Sequence, residues 1–332
     1  MSYITDSIIH IRQGDGLNIA YACDNNFVDV MCVSIMSFND HNCDANIYIL
    51  DCGIKEANKQ KILELCSKKN AVFFVDAKKT LDRLDYDLNL DRGSIASYAR
   101  LFIGSMLPDN VKKVIYLDSD TLIRDSLEGL YNSELNPYII GGIRDSFSEL
   151  NKRVFGIKKG GLMVNAGVLL IDLVKWRENR IEKQIYQLLE KKQKIFQGDQ
   201  GVINSVFHGN VKELSLKYDV MSYLYDFTYE EMMLYRKPDN YFEKREVEVA
   251  KQNPVIVHFS SSFRSSRPWI DIGDCQHPFL NEWLAIYPNK VEEHSKERNI
   301  ATKQKITLWC ARYVHAYFRP LVYLIKNIAH AN

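Results

Sequence analysis

Two aspartates one residue apart follow an apolar run in the segment VIYLDSDTLIRDSLEGLY, residues 114–131. The run before Asp118 and Asp120, from Val114 to Leu117, is β-branched and aromatic, which predicts a buried strand. A turn after a strand can aim both carboxylates at one point, and hard divalent cations prefer oxygen ligands of this kind. The pair therefore predicts a metal site, although paired acids near a turn are also common on protein surfaces.

The elements that must position this pair are those of an α/β sheet. Short apolar runs bounded by turn residues predict strands, and segments with a helical apolar period lie between them. Strand and helix alternate through the first 120 residues, which favours a mostly parallel sheet built from βαβ units. The predicted strands are 17–23, 45–50, 71–75, 112–117, 138–143, 167–171 and 255–259, and the predicted helices are 28–39, 55–69, 95–107, 173–192 and 199–207.

Sheets of this type bind ligands at the carboxyl ends of their strands. Asp118 and Asp120 lie just past the end of one predicted strand, and Asp24 follows the predicted strand 17–23. We therefore expect the three carboxylates to share one rim of the sheet. The aromatic and charged segment 210–250 has no clear period, and we interpret it as an excursion that covers this site or determines substrate specificity.

The composition excludes several classes of protein. The chain has 332 residues, 46% apolar and 26% charged, which argues against a disordered protein. Its net charge of +1 argues against an overall positive field that would attract nucleic acid. Seven cysteines without metal-binding spacing indicate buried thiols in a reducing compartment. The N-terminus lacks a signal-peptide pattern, and no apolar run reaches the roughly 18 residues of a transmembrane helix. We therefore expect a cytoplasmic protein.

The C-terminal stretch 286–332 differs from the rest of the chain. Basic residues recur every seven positions beside an apolar stripe, which is typical of an amphipathic helix in the headgroups of an anionic membrane. We expect peripheral membrane association through this tail; the alternative is a helix packed on the domain, kinked or ended by Pro320. The basic positions are Lys305, Arg312, Arg319 and Lys326, and the stripe is Ile306, Trp309, Tyr313 and Tyr317.

Two enzyme classes use an aspartate pair of this kind. A haloacid-dehalogenase-type phosphatase has a threonine four positions after its nucleophilic aspartate, whereas this chain has Leu122 there and Thr121 one position earlier. A nucleotide-sugar glycosyltransferase uses the pair to hold Mn²⁺ or Mg²⁺ against the donor diphosphate, where the ion neutralises the charge that develops as the sugar–phosphate bond breaks. The spacing disfavours the phosphatase.

Other segments of the chain favour the glycosyltransferase. They are NIAYACDNNF (18–27), SYARL (97–101), VIYLDSDTLI (114–123), NAGVLLIDLVKW (165–176), QGDQGVIN (197–204) and VIVHF with RPW (255–259 and 267–269). In this order, from about residue 18 to 283, they resemble glycosyltransferase family 8, a retaining family of bacterial lipooligosaccharide and lipopolysaccharide galactosyl- and glucosyltransferases that also includes glycogenin.

The resemblance implies a fold and a division of the chain. The fold is α/β, of the GT-A type, with a Rossmann-like mixed central sheet, helices on both faces and an amphipathic helical tail. The glycosyltransferase domain would span 1–285, with a nucleotide-binding half at 17–125 and a sugar and acceptor half at 126–285. Residues 286–332 would be the tail for membrane association.

The resemblance also assigns donor-binding residues. The first strand and the loop after it would hold the nucleoside through Ala22, Asp24 and Asn26, with Asp24 at the uracil edge. Phe27 stands where bacterial relatives often have a tyrosine over the base, and it either stacks there or packs in the core. Arg100 would contact the donor phosphate or sugar, or an acidic partner; the alternative is a surface arginine.

The metal ligands implied by the resemblance are Asp118, Asp120 and His258. Asp120 would also lie near the ribose, with Ser119 beside it in the donor site. Taken alone, His258 would be a buried histidine, but its place after an apolar strand and before RPW favours a ligand. Two carboxylates and an imidazole suit Mn²⁺, with Mg²⁺ as the alternative.

The sugar would be contacted by two further segments. Asn165, Ala166 and Gly167 match the NAG turn of the family, where a small backbone lets the sugar approach closely; the alternative is a tight turn that needs glycine at positive φ. Asp145 falls where relatives have a sugar-contacting acid, although an acid at a strand end could equally cap a helix.

The catalytic residues implied by the resemblance are Asp199 and Gln200. Asp199 would bind donor-sugar hydroxyls, or cap the helix that follows it, and Gln200 would lie near the anomeric carbon opposite the leaving group. Retention needs either a covalent intermediate or front-face attack. Because a neutral amide is a poor nucleophile, we favour front-face attack, with Gln200 stabilising an oxocarbenium-like transition state.

One segment departs from the family pattern. Relatives have a short H-x-x-G-x-x-K-P-W segment, whereas FSSSFRSSR separates His258 from Pro268 here, without glycine and with Arg267 at the lysine position. Arg267 can still bind the diphosphate, assisted by Arg264. The change therefore bears on donor affinity and lid closure rather than on the reaction class.

We therefore expect a retaining, metal-dependent transferase that moves glucose or galactose from a UDP-sugar to a glycan acceptor, which we expect to be a lipid-linked cell-surface oligosaccharide, as in lipopolysaccharide biosynthesis. Its partners would be the UDP-sugar, an oligosaccharide or glycolipid and the inner face of a membrane, without nucleic acid. A noncatalytic nucleotide-sugar or glycan-binding protein on the same fold is the alternative, and a self-glucosylating protein like glycogenin is a variant.

Overall fold

The computed structural model describes residues 16–66, 69–86, 88–90, 94–192, 194–260, 267–270 and 275–286. The predicted tail beyond Ile286, and Arg264 in the segment before RPW, lie outside the described residues. None of the described helices is long and apolar enough to cross a membrane.

Strands and helices alternate along the first third of the chain, as predicted. The strands are β1 (Asn18–Cys23), β2 (Asn46–Asp51), β3 (Ala71–Asp76), β4 (Lys113–Leu117), β5 (Thr121–Ile123), β6 (Ile140–Arg144), β7 (Val164–Asp172), β8 (Lys212–Glu213), β9 (Val220–Met221) and β10 (Ile256–His258). The helices are α1 (Val28–His41), α2 (Glu56–Cys66), α3 (Lys78–Leu81), α4 (Ile103–Met106), α5 (Glu128–Tyr131), α6 (Glu149–Val154), α7 (Leu173–Glu178), α8 (Ile181–Lys191), α9 (Gly198–Phe207), α10 (Tyr223–Asp226), α11 (Tyr229–Arg236), α12 (Lys244–Gln252) and α13 (Leu280–Ile286), with 3₁₀ helices at Ala96–Phe102 and Leu216–Tyr218.

A seven-stranded sheet in the order β3-β2-β1-β4-β7-β6-β8 forms the centre of the described structure. Strands β3, β2, β1 and β4 are parallel, which confirms the βαβ pattern predicted for the first 120 residues. Strand β7 runs antiparallel to both β4 and β6, so the whole sheet is mixed. The carboxyl ends of β1 and β4 therefore lie at the same edge, next to the amino-terminal part of β7.

The central sheet is buried on both faces, as the apolar character of its strands predicts. Strand β4 illustrates this: Ile115 and Leu117 belong to one hydrophobic core, whereas Val114 and Tyr116 belong to the other. Successive side chains of a strand point to opposite faces, so one continuous apolar run supplies both cores. Helices cover both faces, as expected, and Asp118, Asp120 and Asp24 follow the strands at one edge of the sheet.

A second sheet of three short strands, in the order β5-β10-β9, lies beside the first. Thr121, the residue after Asp120, pairs with His258 in the antiparallel ladder of β5 and β10. The backbone N–H of Phe259 also donates to the Asp120 carbonyl oxygen at 2.9 Å. This small sheet therefore fixes His258 next to the aspartate pair, although the two segments are far apart in sequence.

The largest differences between the observed and the predicted elements are the following. The predicted helix 173–192 is two helices, α7 and α8, separated at Arg180, whose φ of 50° is left-handed. The predicted helix 95–107 begins as a 3₁₀ helix and continues as α4. Segment 210–250 contains two short strands and three helices, of which α10 has only 4 residues, so no period is visible in its sequence.

Candidate functional site

Asp118, Asp120 and His258 lie together at the end of β4. One ligand atom from each residue lies within 4.8 Å of the other two. The Nε2 atom of His258 is 3.2 Å from Asp120 Oδ1 and 3.8 Å from Asp118 Oδ2. The structure thus brings together the three residues that the resemblance assigns to a metal.

The turn after β4 directs both carboxylates to this point. The backbone N–H of Asp118 donates to the Gly167 carbonyl oxygen at 2.7 Å, which continues the β4–β7 ladder. The Thr121 hydroxyl donates to the Asp118 carbonyl oxygen at 2.8 Å and closes the turn. Because the backbone is bonded on both sides of Ser119, the aspartate side chains are held where the two sheets meet.

Asp219, which the sequence analysis did not single out, completes the surroundings of His258. Its Oδ1 atom lies 2.8 Å from His258 Nδ1, and its side chain is fully buried. Burial disfavours the protonated imidazole, but the carboxylates of Asp219 and Asp120 outweigh it and raise the pKa of His258 well above its usual value. The imidazole therefore lies in a field that favours positive charge on either of its nitrogens.

Gly167 shows how closely the β7 backbone approaches this group. A Cβ atom at this position would overlap His258 Cε1 and lie 2.8 Å from Asp118 Oδ2. Gly167 lies within β7 and is not among the residues with positive φ, so the tight-turn explanation for this glycine is wrong. The ligand atoms of two carboxylates and one imidazole thus lie close together beside a backbone that carries no side chain. Such a set of oxygen and nitrogen ligands fits a divalent cation such as Mn²⁺ or Mg²⁺.

Arg100 joins the aspartate pair to the start of helix α9. Its Nη2 atom lies 2.6 Å from Asp118 Oδ1, its Nε lies 3.0 Å from Asp199 Oδ2, and its Nη1 donates to the Ala166 carbonyl oxygen. The guanidinium also lies over the ring of Tyr116, 4.5 Å from its centroid. Arg100 is 4% exposed, so the surface-arginine alternative is wrong, and the expected acidic partners are Asp118 and Asp199.

Asp199 lies in the first turn of α9 rather than at its cap. The helix begins at Gly198, and Gln197 occupies the capping position, so the capping alternative for Asp199 is wrong. Burial raises the pKa of Asp199, against the opposing effect of Arg100. The buried carboxylate therefore depends on Arg100 to remain charged.

Gln200 is held by hydrogen bonds at both ends of its amide. Its Nε2 atom donates to Asp145 Oδ2 at 3.2 Å. Its Oε1 atom accepts from Asn165 Nδ2 at 3.2 Å and from the Ala166 backbone N–H at 3.3 Å. The helix after Asp145 is capped by Ser148, so the capping alternative for Asp145 is also wrong.

Two tyrosines from segment 210–250 extend this network. The Tyr223 hydroxyl donates to Asp145 Oδ1 at 3.3 Å and lies 3.1 Å from the Tyr241 hydroxyl. Burial is the main reason why the pKa of both hydroxyls is raised, and this keeps them protonated. Segment 210–250 therefore contacts the site through Tyr223, while its role in covering the site or determining specificity stays a prediction. These tyrosines carry no sequence signal, since the chain contains 19.

The residues expected to hold the nucleoside line the end of β1. Asp24 Oδ2 accepts from the Ser94 hydroxyl at 2.7 Å, and Asp24 Oδ1 accepts from the Asn26 backbone N–H at 2.9 Å. The Ser119 hydroxyl donates to the Ala22 carbonyl oxygen at 3.2 Å. This contact links the ends of β1 and β4, so the expected shared rim exists.

Phe27 and Arg267 both contact Trp269. The ring of Phe27 is half-buried and meets Trp269 edge-on, with centroids 5.7 Å apart. Arg267 is buried, with its guanidinium 5.6 Å from the Trp269 ring centroid and its Nη2 atom 3.9 Å from Asp120 Oδ2. Arg267 therefore lies beside the aspartate pair, as the match to the family lysine implies.

Comparison with known proteins identifies the class. A family model described as Glycosyl transferase family 8 matches residues 18–273, which is most of the chain. The chain belongs to this family. The match favours sugar transfer over the phosphatase alternative.

Two relatives and one solved structure illustrate the similarity. General stress protein A of Bacillus subtilis (strain 168) is 22% identical over 82% of this chain and 94% of its own length. Lipopolysaccharide 1,2-glucosyltransferase of Escherichia coli (strain K12) is 24% identical over 85% of this chain and 78% of its own. The galactosyltransferase LgtC, solved in complex with donor and acceptor sugar analogs, is 26% identical, with a TM-score of 0.67 over 88% of this chain and all of that one. The predicted GT-A fold is confirmed.

Proposed function

We propose that the protein is a retaining, divalent-metal-dependent hexosyltransferase that moves glucose or galactose from a UDP-sugar to a glycan acceptor. The observation that carries this proposal is the convergence of Asp118, Asp120 and His258 at one point, with Arg100 linking them to the helix that bears Gln200. Galactosyl- and glucosyltransferases among the similar proteins support a hexose donor.

Asp118, Asp120 and His258 would hold Mn²⁺ or Mg²⁺. When bound, the ion supplies charge neutralisation for the diphosphate as the bond to the sugar breaks. Arg267, buried beside Asp120, would add a second positive charge at the diphosphate.

The nucleoside would bind at the end of β1. Asp24 has each carboxylate oxygen occupied by one donor, and the remaining lone pairs can accept from the uracil edge. Ala22 and Asn26 would form the rest of this subsite, with Ser119 near the ribose. Phe27 would present the exposed part of its ring to the base.

The sugar would lie between the aspartate pair and helix α9. The backbone of Asn165, Ala166 and Gly167 allows a close approach there, and Asp199 and Asp145 would accept hydrogen bonds from sugar hydroxyls. Asp145 Oδ1 already accepts from Tyr223 and from the Ser146 backbone N–H. Its Oδ2 atom accepts only from Gln200 in the described structure, so this oxygen is the one available to a hydroxyl.

Gln200 would stabilise the transition state rather than attack. Three hydrogen bonds fix its amide, and an amide is too weak a nucleophile to form a covalent intermediate. In front-face attack the acceptor hydroxyl approaches on the leaving-group side and its proton passes to the departing phosphate oxygen. The amide oxygen of Gln200 would then lie against the positive charge that develops on the sugar ring.

The proposal also names the acceptor and assigns a function to each region of the chain. We infer a lipid-linked cell-surface oligosaccharide as acceptor, because one relative is a lipopolysaccharide glucosyltransferase. Residues 17–125 would bind the nucleotide, and residues 126–285 would bind the sugar and the acceptor. The tail 286–332 would attach the protein to the cytoplasmic face of a membrane.

The test is UDP release from a panel of UDP-sugars in the presence of Mn²⁺, with NMR detection of the anomer of the released sugar. The proposal predicts that UDP-glucose or UDP-galactose is hydrolysed and that the α-anomer appears first. Initial appearance of the β-anomer would contradict retention. UDP binding without turnover of any sugar, even with glycan acceptors, would favour the noncatalytic alternative.

A further inference from the structure

Asp219 is a fully buried carboxylate with an unusual set of contacts. Its Oδ1 atom lies 2.8 Å from His258 Nδ1. Its Oδ2 atom is buried and has no hydrogen-bond partner among the described residues. Burying a carboxylate with one oxygen unsatisfied costs free energy, so its presence calls for a function that a neutral side chain would not provide.

The backbone fixes Asp219 beside His258 on both sides. Asp219 precedes β9, which runs parallel to β10 with Met221 opposite His258. The Val255 backbone N–H donates to the Lys217 carbonyl oxygen at 2.8 Å, and the Ser222 backbone N–H donates to the His258 carbonyl oxygen at 3.0 Å. The backbone hydrogen bonds of the small sheet therefore hold the Asp219 carboxylate next to the His258 imidazole.

The direction of this contact determines which nitrogen faces the aspartate pair. The 2.8 Å contact places the Asp219 carboxylate at Nδ1, and an imidazole that donates from Nδ1 presents its other nitrogen, Nε2, to the aspartate pair. The Nε2 atom, which lies 3.2 Å from Asp120 Oδ1 and 3.8 Å from Asp118 Oδ2, is then the nitrogen that faces the candidate cation site, and a bound cation would take the place of a proton on it. A carboxylate on the far nitrogen also increases the electron donation of the near one.

We propose that Asp219 is a positioning residue for the metal site, which holds His258 in the tautomer and ring orientation that present Nε2 to the ion. This inference rests on the metal site of the proposed function. It also gives segment 210–250 a second role, since that segment supplies Asp219 to the metal site as well as Tyr223 to Asp145.

The test measures Mn²⁺ binding directly, by electron paramagnetic resonance of the free ion, in the absence of any sugar nucleotide. The variants are Asp219→Asn and Asp219→Ser, which remove the charge and leave His258 in place. The matched control is Asp172→Asn, because Asp172 lies at the other end of β7, where its side chain accepts from the Lys175 backbone N–H. Circular dichroism and melting temperature establish that each variant is folded.

We expect both Asp219 variants to bind Mn²⁺ about 10- to 100-fold more weakly than wild type, the range found for such outer contacts, and the control to stay within about twofold. Binding within twofold of wild type by either folded Asp219 variant would overturn the inference while leaving the metal site intact. Failure of both variants to fold would assign Asp219 to folding and overturn it equally. Absence of Mn²⁺ binding by wild type would instead contradict the proposed metal site itself.

Discussion

Arg100 donates to one oxygen of Asp118, and His258 faces the other. The Arg100 Nη2 atom lies 2.6 Å from Asp118 Oδ1, whereas Asp118 Oδ2 lies 3.8 Å from His258 Nε2. The two oxygens of one carboxylate thus serve different neighbours: Oδ1 is tied into the fold, and Oδ2 faces the candidate metal site. This division explains how a buried arginine can lie next to a cation site without replacing the cation.

The first prediction concerns the stability that Arg100 provides. Replacing Arg100 with methionine leaves Asp118 and the buried Asp199 without their shared cation, and we expect the free energy of unfolding to fall by about 3–5 kcal/mol. Urea denaturation measures this change. Arg153→Met is the control, because Arg153 is 67% exposed and its ion pair is with Glu149 on its own helix. We expect a change within about 0.5 kcal/mol. Equal effects of the two substitutions would contradict the role of Arg100.

The second prediction concerns the close approach at Gly167. In a Gly167→Ala variant the new methyl group would collide with His258 and Asp118, so the ligand atoms must move apart. We expect Mn²⁺ affinity to fall by at least about tenfold and the protein to lose about 1–3 kcal/mol of stability from overpacking. Calorimetric titration with Mn²⁺ and thermal melting measure the two effects. A variant with the Mn²⁺ affinity and melting temperature of the wild type would show that a methyl group at Gly167 fits beside His258 and Asp118.

The third prediction concerns the hydroxyl of Tyr223. Tyr223→Phe removes the donor to Asp145 Oδ1 and leaves the ring in place, so Asp145 and the amide of Gln200 lose one constraint. We expect kcat to fall about tenfold, equivalent to roughly 1.4 kcal/mol, with KM for the donor changed by less than about twofold.

Tyr225→Phe provides the matched control for this variant. The Tyr225 hydroxyl donates to the Lys251 carbonyl oxygen at 3.2 Å, away from Gln200. Both substitutions should cost about 1 kcal/mol of stability, and only Tyr223→Phe should lower kcat. A fall in kcat of the same size in both would mean that the effect is a general loss of packing in segment 210–250.

The fourth prediction concerns the pH dependence of stability through His277. Burial lowers the pKa of His277 to about 4. Its ring lies among Tyr225, Phe259 and Phe279, which favour the neutral form. The unfolded chain takes up this proton near its ordinary pKa of about 6.5, so stability is fully present above that pH and falls as the pH drops towards 4.

The contribution of His277 is measured by comparing wild type with His277→Phe. We expect the wild type to lose about 3 kcal/mol more than the variant between pH 7 and pH 4, because the difference in pKa is about 2.5 units. Urea denaturation at several pH values gives both curves. Parallel curves for the two proteins would show that His277 takes up its proton as readily in the folded state as in the unfolded one.

Most strands of the central sheet could be predicted from sequence because they are apolar runs of 5 or more residues, whereas the edge strand β8, with 2 residues, could not. Strand β4 shows this: every residue from Val114 to Leu117 is apolar, and the two aspartates follow immediately. The small sheet could not be predicted in the same way. Strand β5 has 3 residues and β9 has 2, and each is stabilised by pairing with β10 rather than by its own pattern.

The residues of the candidate site likewise fall into those that the sequence predicted and those that it did not. The residues in recognisable blocks, such as the aspartate pair and Gln200, are brought together as expected, although their roles in the reaction stay predictions. Asp219 and Tyr223 were missed because they are defined by partners distant in sequence, His258 and Asp145, inside a segment without a visible period. Their recognition required the tertiary contacts.

The most direct measurement is UDP release from UDP-glucose and UDP-galactose by wild type and by Asp120→Asn, with Mn²⁺ and with a chelator. The account predicts that wild type releases UDP from one of them only when Mn²⁺ is present, and that Asp120→Asn, although folded, is at least about 100-fold slower because it has lost a ligand that faces His258. Release at the wild-type rate in chelator, or by the folded variant with Mn²⁺, would contradict the metal-dependent mechanism.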